Sequence, residues 1–285
     1  MPDILTTAAE LKAAIDAGAY ADGGPVRILD VRWRLDHPDG RPAYVAGHIP
    51  GARYVDLGAD LAEHGAPQDG RHPLPSEARF RETVHAWGID DADTVVVYDD
   101  ANNLASARAW WLLRHAGIRD VRILDGSLRA WNDAGLPIET GEGRAVERGS
   151  ATVRYGALRT LGIDDVRSHA ETSVLLDARA AERYRGEVEP IDPRAGHIPG
   201  AVSAPTTENV GPDGRFLPAA ELHERFAGLG ARADSPVGVY CGSGVTAAHE
   251  AVALVLAGYE PALYAGSWSQ WSNHPDLPVR TGARP

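Results

Sequence analysis

Along this chain, short runs of β-branched and apolar residues alternate with longer stretches in which apolar residues recur every three to four positions. In the second half the pattern predicts a strand at 173–177, a helix at 219–229, a strand at 237–240, a helix at 246–257 and a short strand at 262–264. Gly258 follows the fourth of these, where a left-handed residue closes a helix. Strands that alternate with helices in this way build α/β units on a parallel sheet.

The first half carries the same pattern, and the two halves echo each other. Ile28-Leu29-Asp30-Val31-Arg32 is matched by Leu175-Leu176-Asp177-Ala178-Arg179, and Gly47-His48-Ile49-Pro50-Gly51-Ala52 recurs unchanged from Gly196 to Ala201. Val95-Val96-Val97-Tyr98 matches Val237-Gly238-Val239-Tyr240, and Gly126-Ser127 with Trp131 matches Gly266-Ser267 with Trp271. The matches keep their order, at offsets of 147, 149 and 142 residues for Asp30 to Asp177, Gly47 to Gly196 and Tyr98 to Tyr240. That is duplication of a whole domain, not a solenoid period. The polar, aperiodic stretch 139–150 reads as the connection. The expected division is a first domain at 1–140, a linker at 141–156 and a second domain at 157–285.

Composition narrows the function classes. The 285 residues suit two ordinary domains, and 44 % hydrophobic residues suffice for packed cores. A formal net charge of −12 speaks against nucleic-acid partners. No basic leader precedes an apolar core and no apolar run approaches a membrane span, so the expected place is the cytoplasm, with no membrane partner. One cysteine permits no internal disulfide, which suits a reducing compartment. The histidines are scattered, and neither a phosphate-binding nor a dinucleotide-binding fingerprint is present, so no metal and no cofactor are expected.

That cysteine, Cys241, ends an apolar strand and opens the loop Cys241-Gly242-Ser243-Gly244-Val245-Thr246 before a helix. Backbone N–H groups in such a loop and the positive end of the helix both favour an anion, and the thiolate is the reactive form of cysteine. Two glycines let the loop curl at positive φ and approach the sulfur, and the Thr246 hydroxyl is placed to cap the helix or to bond the sulfur. In the first half Asp99 stands where Cys241 stands in the second, so only one reactive thiol is expected per chain.

Tandem Gly-His-Ile-Pro-Gly-Ala motifs, with the strand–Cys–loop–helix only in the second copy, resemble the two-domain rhodanese-type sulfurtransferases. The likeness runs from about Thr6 to Pro278. It implies two α/β domains, each a small, mostly parallel sheet with helices on both faces, the first without catalysis. The loop Cys-Gly-Ser-Gly-Val-Thr is similar to that of the mercaptopyruvate-preferring subgroup and lacks the basic residues of the thiosulfate-preferring one. The implied reaction passes sulfur from 3-mercaptopyruvate through a persulfide on Cys241 to a thiol such as thioredoxin or a small thiol, or to cyanide, and releases pyruvate. Arg183 matches a family arginine that binds the donor carboxylate. Arg194 is the nearest candidate for a second, and Gly242, Gly244, Val245 and Thr246 form the sulfur-binding loop. Ser243 matches the serine of a Ser–His–Asp relay, with His72 as the histidine and Asp60, or Asp56, as the acid.

Blander readings stand beside these. His48 and His197, and the pairs Asp30/Arg32 and Asp177/Arg179, occur in both halves, including the one without the thiol, which assigns them structural work. Arg183 also suits a surface ion pair, and Ser243 a tight turn. Thiosulfate:cyanide sulfur transfer is the near alternative, and a noncatalytic sulfur carrier or regulatory module the distant one. Phosphatase chemistry needs an arginine six residues after the cysteine, where this chain has Ala247.

Overall fold

A computed structural model describes residues 3–285. The chain folds into two compact units. One takes in the chain through Ala62 together with Pro75–Ala157 and Pro212–Arg215; the other takes in Glu63–Leu74, Leu158–Gly211 and Phe216–Pro285.

The first unit carries strands β1 (Leu5–Thr6), β2 (Val26–Asp30), β3 (Arg53–Tyr54), β4 (Thr94–Tyr98) and β5 (Asp120–Leu124), in the order β1-β5-β4-β2-β3. The second carries β6 (Arg159–Thr160), β7 (Leu175–Asp177), β8 (Ala201–Ser203), β9 (Val237–Tyr240) and β10 (Pro261–Leu263), in the order β6-β10-β9-β7-β8. Every pairing in both sheets is parallel. The two middle strands, β4 and β9, are buried at every residue, as strands covered on both faces must be. Pro261 opens β10, where its missing N–H costs no ladder bond.

The cores follow the apolar pattern. Leu11, Val96, Tyr98 and Trp131 pack in the first unit, and Leu175, Tyr240, Trp268 and Trp271 in the second. The expected helices appear as Ala219–Gly228 and Thr246–Leu256, and Gly258 takes φ +86° just past the second.

The 141–156 stretch is not a free linker. It runs as irregular chain counted with the first unit, where the N–H groups of Gly149, Ala151 and Arg154 donate to the carbonyls of His85, Ile89 and Ala116. Ala151 and Val153 are buried. Polar composition foretold the lack of regular structure but not the backbone groups that satisfy it.

Candidate active site

The site is built on the carboxyl end of β9, the middle strand of its sheet, where open parallel sheets place ligands. Cys241 follows directly. Its N–H donates to Ser267 Oγ at 3.1 Å, and its carbonyl accepts from Trp268 N–H at 2.9 Å. Gly242 is held the same way, its carbonyl accepting from Ser269 N–H at 2.8 Å. The start of the short Ser267–Trp271 helix thus pins the loop. Ser267 holds this position at φ +54°, an uncommon value for a residue with a side chain.

The thiol is 1 % exposed, and its Sγ accepts from Gly244 N–H at 3.1 Å. Gly244 has φ +77°, and a Cβ there would lie 2.4 Å from the carbonyl oxygen of Ala265, so both conformation and space demand glycine. Gly242 differs from expectation. It is not among the residues at positive φ; its lack of a side chain instead admits two guanidiniums. A Cβ on Gly242 would lie 3.1 Å from Arg71 Nη2 and 3.4 Å from Arg183 Nη1.

Thr246 does not cap the helix: Val245, buried, is the N-cap residue, Thr246 is the first helical residue, and no side chain caps that end. The helix therefore presents its positive end to the loop that holds the sulfur.

At the matching place in the first unit, Asp99 follows β4. Its Oδ1 accepts from the N–H groups of Ala101 and Asn103, and its Oδ2 from those of Ala105 and Ser106, all at 2.8–3.0 Å. Burial pushes this carboxyl up from the usual carboxylate range while the four N–H groups pull the other way. The Asp99 carbonyl accepts from Leu128 N–H, and Ser127 has φ +57°, repeating the arrangement around Cys241. The loop from Asp99 to the Ser106–His115 helix is two residues longer than the one from Cys241 to Thr246.

The expected residues divide. Ser243 is buried, and its Oγ lies 2.8 Å from His72 Nδ1. His72 sits in the 63–74 segment, which belongs to the second unit by its contacts. There Arg71 N–H donates to Ser269 Oγ at 3.1 Å. Asp60 belongs to the first unit, where it accepts from Asp56 N–H at 2.9 Å. Burial pushes its carboxyl up to about 6, and Asp56 caps that short helix. Arg183, on the Ala181–Tyr184 helix, reaches the Gly242 loop, and its Nη2 donates to Glu189 Oε1 at 2.7 Å and to Asp192 Oδ2 at 3.4 Å.

Arg194 is a correction. All its donors go to main-chain carbonyls, those of Ser272, Leu277, Trp271 and His274, at 2.7–2.9 Å, so it braces the segment after the Ser267–Trp271 helix. The cation found beside Gly242 instead is Arg71, which is ion-paired with Asp192. Its signal was present in Gly70-Arg71-His72, next to a histidine already singled out. The duplicated pairs do structural work. Arg32 clamps Asp30 and Arg179 clamps Asp177, each through Nε and Nη2. His48 and His197 stack on Tyr44 and Tyr184 at 4.0 and 3.8 Å. Among the described residues no group of His, Cys, Asp and Glu could hold a metal ion, and no helix is long and apolar enough to cross a membrane.

Two parallel sheets of identical strand order, one ending in a thiol cradled by a glycine loop, define a class. The chain belongs to the rhodanese-like domain family, whose model matches residues 7–134 and 163–274. It is a sulfurtransferase of the two-domain kind. Among relatives, it is 48 % identical over 98 % of its length, and 97 % of the other's, to "Putative thiosulfate sulfurtransferase SseB" of Mycobacterium tuberculosis. It is 46 % identical over 97 % of its length, and 99 % of the other's, to "Probable 3-mercaptopyruvate sulfurtransferase" of Pseudomonas aeruginosa. The crystal structure of SseA from Escherichia coli, described as a 3-mercaptopyruvate sulfotransferase, superposes with a TM-score of 0.81 at 33 % identity. That match covers 93 % of this chain and 98 % of that one.

Proposed function

We propose that the chain transfers sulfur from 3-mercaptopyruvate by double displacement on Cys241. The thiolate attacks the donor sulfur. The S–S bond forms as the C–S bond breaks, and its electron pair leaves on carbon as the enolate of pyruvate, which takes up a proton. The outer sulfur, now a persulfide on Cys241, passes to an attacking thiol, and the Cys241 thiolate is regenerated. Gly244 N–H steadies the sulfur anion in both states. Arg183 and Arg71 receive the donor carboxylate in bidentate fashion. Ser243 with His72 handles the proton that the donor thiol loses and the enolate gains. Thioredoxin, a small cellular thiol or, in an assay, cyanide serves as acceptor, and the reducing cytoplasm keeps the single thiol free.

The observation that carries the reading is the pairing of a glycine-cradled Sγ with two guanidiniums and an otherwise neutral loop. The test is donor-dependent persulfidation: mercaptopyruvate adds one sulfur atom to the intact chain, seen by mass, and Cys241→Ser does not gain it. A Cys241→Ser protein that still moves sulfur refutes the mechanism. A second reading, thiosulfate as the preferred donor, has the name of the M. tuberculosis relative in its favour. The ratio of kcat/KM for the two donors decides between them.

A further inference from the structure

Six charged side chains form a continuous series that ends beside the sulfur loop. Asp177 pairs with Arg179 (2.6 Å), Arg179 with Glu189 (3.4 Å), Glu189 with Arg183 (2.7 Å), Arg183 with Asp192 (3.4 Å), and Asp192 with Arg71. Three are cations and three anions, so the series is formally neutral. Its acids are sealed away: Glu189 and Asp192 are each 3 % exposed, against 17 % for Arg183 and 26 % for Arg71. Glu189 is itself fixed, because its Oε1 accepts from the N–H groups of Ile191 and Asp192.

The two arginines nearest the sulfur divide their donors. Arg71 Nη1 and Arg183 Nη2 are taken by the acids, and the nitrogens closest to Gly242 are the opposite ones, Arg71 Nη2 and Arg183 Nη1. Both Nε atoms are buried without a partner. Arg71 Nη2 and Arg183 Nη1, the nitrogens facing Gly242, are the groups that remain for a ligand, but the positive charge behind them is already compensated. Repulsion from the buried acids grows in proportion to the charge of whatever binds. Water screens little of it at this depth.

We propose that Asp192, seconded by Glu189, is a specificity-determining residue that limits the donor to singly charged α-keto carboxylates. It does so by cancelling the charge of Arg71 and Arg183. The proposal rests on the reading of Cys241 as the sulfur-accepting thiol. A donor with one carboxylate finds directed N–H groups, whereas the second negative charge of thiosulfate adds a desolvation cost that a formally neutral series, its attraction and repulsion rising together, does not offset. Burial pushes the Asp192 carboxyl up from its ordinary range, and Arg71 and Arg183, in direct contact with it, pull the other way and favour the carboxylate.

The experiment compares kcat/KM for mercaptopyruvate and thiosulfate in the full chain, in Asp192→Asn and in Asp192→Glu. Asp192→Asn is expected to raise the thiosulfate-to-mercaptopyruvate ratio about tenfold, the scale of one charge at a partly buried site. Most of the change falls in the KM for thiosulfate, and Asp192→Glu returns the ratio towards wild type. A ratio within about twofold of wild type in Asp192→Asn overturns the proposal and leaves the sulfurtransferase reading standing. A wild-type chain that forms no persulfide from either donor overturns both. Should Asp192→Asn not fold, protection of wild-type Cys241 from alkylation tests the same point. Pyruvate is expected to protect at lower concentration than sulfate, and sulfate protecting equally well or better overturns the proposal.

Discussion

Arg183 shows what a single residue can be asked to do. It is held by Glu189 yet keeps Nη1 towards Gly242, so Arg183→Ala should raise the KM for mercaptopyruvate about tenfold or more, with a smaller effect on kcat. Steady-state kinetics check this, and an unchanged KM removes Arg183 from the site. Ser243→Ala breaks the 2.8 Å contact with His72 and should lower kcat by about 10²-fold while substrate binding persists. At this scale the sequence was most legible where chemistry and local chain coincide. Cys241 and Ser243 sit in a strand–loop–helix that announces itself. Arg194 was misread because nearness to the Gly-His-Ile-Pro-Gly turn says nothing of direction, and its donors face four carbonyls. Arg71 was passed over because the segment bearing it joins the second unit by contacts that no local pattern encodes.

Elements impose stricter demands than residues. The loop between β9 and the Thr246–Leu256 helix turns on Gly244, whose φ is +77° and whose Cβ position is taken by the Ala265 carbonyl. Gly244→Ala should lower stability by about 1–3 kcal/mol, seen by chemical denaturation. It should also cut persulfide formation more than the stability loss explains, because the N–H that meets the sulfur moves with it. In the first unit, Asp99→Asn replaces an acceptor of four N–H groups with an amide that must turn a donor towards one pair. A loss of about 1–3 kcal/mol is expected in the melting of the full chain, with sulfur transfer at Cys241 retained. The sequence foretold the two helices and three strands it placed in the second half to within one or two residues. It did not foretell Val245 as the N-cap residue or the space-driven need for Gly242, since both depend on what packs against the loop.

For the molecule as a whole, the duplicated frame was readable because the buried pairs Asp30/Arg32 and Asp177/Arg179 recur with their strands. Unit membership of 63–74 and 212–215 was not, because it is written in long-range contacts. Global stability should carry the mark of Glu250, fully buried on the helix that follows the sulfur loop. Its carboxylate accepts from Asn209 Nδ2 at 2.6 Å and faces Arg225 at 3.5 Å. Burial pushes this carboxyl up to about 7 from an ordinary 4.5. The folded chain holds that proton more tightly than the unfolded one, so this contribution is greatest below pH 4.5 and falls as pH rises to about 7. Glu250→Gln should therefore gain stability over wild type as pH rises from about 5 to about 8, on the order of 3 kcal/mol at the upper end. Melting temperatures across that range measure it, and parallel curves for the two proteins contradict it.

The four N–H groups closed on Asp99 also bear on how the chain can change over generations. A codon for aspartate reaches one for cysteine only in two nucleotide steps, by way of glycine or tyrosine. Neither intermediate supplies two oxygens to that buried ring of donors, and tyrosine adds a large ring where nothing is exposed. A thiol at position 99 is therefore reached only through a weakened protein, and the first half stays bound to its carboxylate.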